Sequence, residues 1–312
     1  MERALHPVTP VRRWEHRGPL LPVRPPRPVP TEPDDGRRQA PPRAGPLARE
    51  RAALAQAPAK PGDVTLAIIP VHGLPEIRPR DDLVGLLLDA LARANERLQD
   101  GDVLVVAQKV VSKSEGRVVR LADVTPGERA LAMAEESGKD PRQLEVVLSE
   151  TKEIVRWERG VLISETRHGF ICANAGVDRS NAGAPDTVVL LPIDPDASAA
   201  RIRDEIADRA HAMVAVVITD TFGRAWREGH TNVAIGIAGL APLKRYIGQR
   251  DPAGYELRVT EIAVADEIAA GSELVMGKLD RCPVAIVRGL PFDVSEETAQ
   301  EYVRPAARDL FR

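Results

Sequence analysis

Two short apolar runs, Asp102-Val-Leu-Val-Val-Ala107 and Met213-Val-Ala-Val-Val-Ile-Thr219, constrain this chain more than any other feature. Neither alternates polar with apolar residues. The first reads as a strand that a sheet buries on both faces, and the second as one further buried strand. Each then changes character abruptly. The first leads into Gln108-Lys-Val-Val-Ser-Lys-Ser-Glu-Gly116, so Lys109 and Lys113 are expected where the sheet meets a loop. The second drops straight into Asp220-Thr221, and Gly223 and Gly229 are expected to break any regular continuation. A carboxylate at such a strand end sits at the rim of a sheet, where substrates reach it.

A second segment has the same design. Phe170-Ile-Cys-Ala-Asn-Ala-Gly-Val-Asp-Arg-Ser-Asn181 runs from an apolar stretch through Gly176 into Asp178, Arg179, Ser180 and Asn181. Asp178, Asp220 and Thr221 supply two carboxylates and a hydroxyl with no His or Cys nearby in sequence, and all-oxygen ligation suits Mg²⁺ or Mn²⁺ over zinc. Taken singly, each aspartate is equally compatible with capping backbone amides in its loop. The charge that follows Asp220 exceeds what a turn needs: Arg224, Arg227, Glu228 and His230. Arg224 can clamp a carboxylate or phosphate in bidentate fashion. Lys113 reads either as a phosphate-neutralising group or as a solvated loop lysine, and Gln108 or Ser112 can hydrogen-bond a base or ribose. The Leu74-Pro-Glu-Ile77 loop can form a rigid wall for a base. Gly236 and Gly239 lie in an apolar run, which points to packing. His168 reads as a structural histidine.

Between these segments the periodicity predicts a strand over Val64–Val71 and a helix from Asp82. Helices are expected at 127–137, 141–151 and 197–212, with β-type alternation from Ile154 to Ala173. Thr260–Met276 is expected as one long helix, Pro283–Val287 as a strand and Glu296–Leu310 as a closing helix. Strands and helices mix without regular β-α-β alternation, so the expected class is α+β, or mixed α/β, in two lobes. Neither G-x-x-x-x-G-K-[ST] nor G-x-G-x-x-G occurs, which excludes the standard P-loop and dinucleotide fingerprints.

Of the 27 prolines, 14 fall within residues 1–61, and residues 1–60 carry a net charge of +6 against −3 for the whole chain. This stretch is expected to be a disordered Pro/Arg-rich tail preceding a domain at 62–312, with no nucleic-acid or membrane role. No secretory signal or 18-residue apolar run is visible, so a cytoplasmic location is expected. Two cysteines, Cys172 and Cys282, are too few for a disulfide framework.

Five ordered segments carry a family resemblance: Gly73-Leu-Pro-Glu-Ile-Arg-Pro-Arg-Asp-Asp-Leu83, Gln108–Arg117, Ala175-Gly-Val-Asp-Arg-Ser-Asn181, Asp220–Gly229 and Tyr246-Ile-Gly-Gln-Arg-Asp251. Together with the closing Arg304–Arg312, they resemble the coenzyme F-420-0:L-glutamate ligase family. The resemblance implies an unusual α+β fold, a homodimer, and a GTP-dependent amide ligase that adds L-glutamate to coenzyme F-420-0 or its dehydro form. Further γ-linked glutamates follow, and GDP and phosphate leave. It implies two Mg²⁺ or Mn²⁺ ions, held at Asp178, Asp220 and Thr221, with K⁺ besides. It also implies GTP contacts from Leu74, Pro75, Glu76, Ile77, Gln108, Lys113 and Asn181. Archaeal relatives carry a metal-associated Gln after Met-Gly, whereas this chain has Met276-Gly-Lys278. A protonated lysine cannot ligate a cation, so either the second metal has fewer protein ligands or Lys278 meets phosphate directly. The same oxygen ligands would also serve a metal-dependent phosphatase or nucleotidase, or a non-catalytic deazaflavin- or nucleotide-binding module.

Overall fold

The computed structural model describes residues 65–310 apart from 181, 183 and 184. The proline-rich tail and Asn181 lie outside the described residues, as do Phe311 and Arg312. The first lobe is built on a five-stranded sheet of β1 (Ala67–Pro70), β2 (Val103–Ala107), β8 (Ala215–Arg224), β9 (Arg227–Ala238) and β12 (Val284–Arg288), in the order β1-β12-β2-β8-β9. The two constraining runs lie side by side as the parallel pair β2–β8, with Val103 opposite Ala215 and Ala107 opposite Thr219. Helices α1 (Leu83–Arg93), α5 (Pro195–Ala210) and α6 (Val264–Met276) contribute to the same core, through Leu87 and Leu91, Ile202 and Ile206, and Ile268 and Ala269. Asp82 caps α1 by accepting from the Gly85 N–H, and Asp194 caps α5 ahead of Pro195. A Cβ on Gly236 would stand 2.4 Å from the Pro195 carbonyl oxygen. The packing role expected of that glycine is therefore literal, since the start of α5 lies directly on β9.

A second core gathers Leu121, Met133, Leu144, Val147, Leu162 and Val188. It is enclosed by α3 (Glu128–Ser137), α4 (Pro141–Glu150) and two smaller sheets. One is β4 (Thr151–Glu158), β5 (Val161–Thr166) and β6 (Ile171–Ala173); the other pairs β3 (Val118–Arg120) with β7 (Thr187–Val189). Two separate apolar clusters and mixed sheets make this the expected two-lobed α+β fold. Among the described residues, no helix is long and apolar enough to cross a membrane.

Four expectations are corrected. β8 does not stop at Thr219 but runs through Asp220 to Arg224 and turns back as β9, because a register shift at Ile218/Thr219 absorbs the change in residue character without ending the ladder. Gln108–Ser114 is not a loop but a helix, α2, starting directly after β2. The Thr260–Met276 segment first adds the short strand β11 (Glu261–Ala263), paired with β10 (Leu243–Arg245), before α6 begins. The closing segment forms two 3₁₀ turns, Ala299–Tyr302 and Ala306–Arg308, with Pro305 between them; proline lacks the N–H a continuous helix needs there.

Strand directions place the site. β12 is antiparallel to both β1 and β2, so β1, β2 and β8 all run the same way. The 72–82 loop, α2, Asp220 and the segment entering β12 therefore gather at one edge of the sheet.

Candidate active site

At that edge the sequence-distant segments meet through ion pairs. Lys109 and Lys113 are one turn apart on α2 and take different partners. The Lys109 Nζ lies 2.6 Å from Asp178 Oδ2 and 2.7 Å from Ser180 Oγ. The Lys113 Nζ lies 2.5 Å from Glu76 Oε1. Asp178 is fixed by its backbone, which exchanges two hydrogen bonds with Val189 on β7. The turn delivering it depends on Gly176, whose φ is +72° and whose Cβ would stand 2.7 Å from Leu191. The Ser180 N–H and Oγ both donate to the Asp178 carboxylate, at 2.7 and 2.9 Å. Burial alone would raise that carboxyl, but the bonds from Lys109 and Ser180 outweigh it and hold Asp178 below its ordinary range.

Asp220 is in the opposite state. It sits on β8 across from Val233, and among the described residues it has no salt-bridge partner. Burial pushes its carboxyl up to about 6; the Thr221 N–H, Lys109 and Lys278 pull it back, while the nearby Asp178 charge adds to the rise. The Cys172 thiol, pushed up to about 12 by burial first and by Asp220 second, is inert packing. Thr221 Oγ1 accepts from Lys278 Nζ at 2.5 Å and donates to Asn232 Oδ1 at 2.7 Å, and Asn232 Nδ2 donates to Glu273 Oε2 at 2.9 Å. Lys278 thus stands on a proposed metal ligand, within electrostatic reach of Asp220.

A divalent cation fits this donor set. Asp220 is a largely desolvated carboxylate without a contacting cation, with a second carboxylate and a hydroxyl beside it. Among the described residues no cluster of three or more His, Cys, Asp and Glu side chains forms. A set this sparse in protein ligands, with Asp178 and Thr221 already engaged by Lys109 and Lys278, suits Mg²⁺ or Mn²⁺, which keep several waters and share phosphate oxygens, rather than a zinc cage.

The other expected contacts fall as follows. Ile77 is buried in the main core and Leu74 packs against it, while Pro75 and Glu76 are exposed at the loop crest. Gln108 is 1% exposed; its Oε1 accepts from Ser112, and its Nε2 has no partner among the described residues. Arg224 is not brought onto Asp220. It lies exposed in the β8–β9 hairpin, donating to the Glu228 and Gly229 carbonyls. Sequence reading gave no role to Lys109, Ser180, Asn232 or Glu273. The four-residue spacing of Lys109 and Lys113 signals a shared helix face once 108–114 is recognised as a helix. Asn232 and Glu273, by contrast, are joined only by the fold.

Residues 73–289 match the family described as F420-0:Gamma-glutamyl ligase. The chain is 42% identical over 250 residues to a coenzyme F420:L-glutamate ligase of Methanothermobacter thermautotrophicus, covering 79% of this chain and 99% of that protein. It is 43% identical over 253 residues to a protein of that name from Methanopyrus kandleri, covering 80% and 98%. A third, from Methanocaldococcus jannaschii, is 40% identical over 216 residues, covering 69% and 86%.

Proposed function

This chain belongs to the F420-0:gamma-glutamyl ligase family and is a ligase of coenzyme F420 biosynthesis, and we propose that it works by GTP-dependent carboxylate activation at the Asp178–Asp220–Thr221 edge. The observation that carries this reading is the convergence of three lysines, two carboxylates and a hydroxyl at one end of the β2–β8 pair. A carboxylate is a poor acyl donor. The γ-phosphoryl group of GTP passes to the terminal carboxylate of coenzyme F-420-0 or its dehydro form, giving an acyl phosphate and GDP. The amine of L-glutamate then attacks the activated carbonyl carbon, phosphate leaves with the bond electrons, and the amine loses its proton. Repetition at the new γ-carboxylate adds further glutamates.

Lys113 and Lys278 neutralise phosphate charge, and Gln108, with a buried donor to spare, offers a hydrogen bond to the nucleotide. Leu74, Pro75, Glu76, Ile77 and Asn181 complete the nucleotide contacts, and Arg224 swings from its hairpin carbonyls to clamp a substrate anion. Asp178, Asp220 and Thr221 hold Mg²⁺ or Mn²⁺, two ions in the full reading, whose bound charge offsets that of the phosphates. K⁺ enters from the family resemblance alone. Holding both reactants in register supplies much of the acceleration. The enzyme acts in the cytoplasm as a homodimer. Exposed Trp226, Leu274 and Leu279 offer apolar surface that suits a second copy.

A mass spectrum of the deazaflavin precursor tests this after incubation with the protein, GTP, L-glutamate, Mn²⁺ and K⁺. GTP-dependent mass steps of one or more glutamyl residues are expected. GTP hydrolysis with an unchanged precursor, independent of glutamate, would overturn ligation through GTP in favour of a phosphatase.

A further inference from the structure

We infer that Glu273 and Asn232 are positioning residues that set the direction of the Thr221 hydroxyl, so that its lone pairs face a cation. The inference rests on the proposed metal reading and deepens it. The chain Glu273–Asn232–Thr221–Lys278 has its polarity fixed at both ends. An ionised carboxylate only accepts hydrogen bonds, so the amide atom of Asn232 that faces Glu273, at 2.9 Å, must be Nδ2. That choice, settled by chemistry rather than by the look of the amide, turns Oδ1 toward Thr221. Oδ1 only accepts, so the Thr221 O–H must donate to it, at 2.7 Å. The Oγ1 lone pairs are left pointing elsewhere. In the structure they receive the Lys278 ammonium, a group that only donates, at 2.5 Å.

The same polarity serves a divalent ion, which needs a lone pair and is repelled by a hydroxyl proton. Asn232 is 3% exposed, so water cannot replace its amide in the relay. The parts come from three elements. Thr221 is on β8, Asn232 is its direct register partner on β9, and Glu273 is in the last turn of α6. A glutamate there is not explained by the helix itself, since a carboxylate at a helix C-terminus is disfavoured by the helix dipole. Outer groups of this sort orient the ligands that touch a metal, and losing them weakens metal binding by about 10- to 100-fold.

The test is direct Mn²⁺ binding, followed by the electron paramagnetic resonance signal of free Mn²⁺, for the wild-type protein, Glu273→Gln, Thr221→Val and the double variant. Glutamine keeps the size of Glu273 but both donates and accepts, so the amide of Asn232 is free to flip. The expected result is a dissociation constant raised about tenfold in Glu273→Gln. In the Thr221→Val background, the same substitution should cost nothing further, because its effect passes through the hydroxyl. Wild-type affinity in Glu273→Gln, or a penalty that persists in full on Thr221→Val, would overturn the inference while leaving the metal reading standing. A wild-type protein that binds no Mn²⁺ would overturn the metal reading, and the inference with it.

Discussion

The two ends of the β2–β8 strand pair treat buried charge in opposite ways. At the start of β2, Asp102 is 2% exposed and takes a bidentate pair from Arg288, at 2.9 and 2.8 Å, plus the Gln99 N–H at 2.9 Å. Arg288 also donates to Glu96 and to the Arg97 carbonyl. At the other end, about six residues and some 20 Å along the strands, Asp220 has no salt-bridge partner among the described residues, where Gln108 Nε2 and Thr219 Oγ1 are also buried without partners. A closed network of this kind fixes geometry, whereas an open one keeps binding capacity for a ligand at some cost to stability. The contrast singles out, without reference to any motif, the end of the strand pair that keeps polar groups unsatisfied.

Crossed substitutions give the largest effects. Asp220→Asn is expected to lower ligase turnover by at least about a hundredfold, because the proposed cation would lose an anionic ligand. Its metal-free thermal midpoint should not fall, since an unpaired, half-buried carboxylate is replaced by a neutral group. Arg288→Met is expected to do the reverse: a loss of about 3 kcal/mol in denaturant unfolding, from leaving the Asp102 charge buried and alone, with kcat unchanged per folded molecule. Equal effects of both substitutions on stability and turnover would erase the distinction between the two ends.

The two ends differed in how far they could be read from sequence. Asp178, Asp220 and Thr221 stood out because polar residues follow apolar runs abruptly, and the structure brings those segments together. Their setting was less legible. The bulge at Ile218/Thr219 that lets β8 continue past Thr219 is a matter of pairing with β9, so Asp220 was expected at a strand end and lies within the strand. Glycine at 223, expected as a break, is accommodated in the same hairpin. The Asp102–Arg288 pair spans 186 positions, and nothing local to either residue announces it. Short helices such as α2 carry too few turns for their period to stand out, which hid the shared face of Lys109 and Lys113.

Cation binding sharpens the contrast further. A ligand that binds only the folded state stabilises it by an amount set by its saturation, about 2.7 kcal/mol at a hundred times the dissociation constant. Saturating Mn²⁺ should therefore raise the thermal midpoint of the wild-type protein and of Arg288→Met alike, and leave that of Asp220→Asn nearly unmoved. A rise of equal size in Asp220→Asn, read by differential scanning fluorimetry, would put the cation elsewhere on the molecule.

The smallest effect belongs to the closed end and depends on pH. The Arg97 N–H, foremost, with Arg288, outweighs burial and holds the Glu96 carboxyl below its ordinary value. A carboxyl lowered in the folded state stabilises the fold above its unfolded pKa, and that contribution is lost as pH falls through the folded value. The window thus opens below about 4.5, the ordinary value for this side chain. Because Glu96 is partly solvated, the contribution is at most about 1 kcal/mol. Glu96→Gln should flatten the acid limb of the stability profile by that amount and leave ligase activity near neutral pH unchanged. An acid limb as steep in the variant as in the wild type would place the acid sensitivity with other carboxylates and reduce Glu96 to a spectator of the Arg288 network.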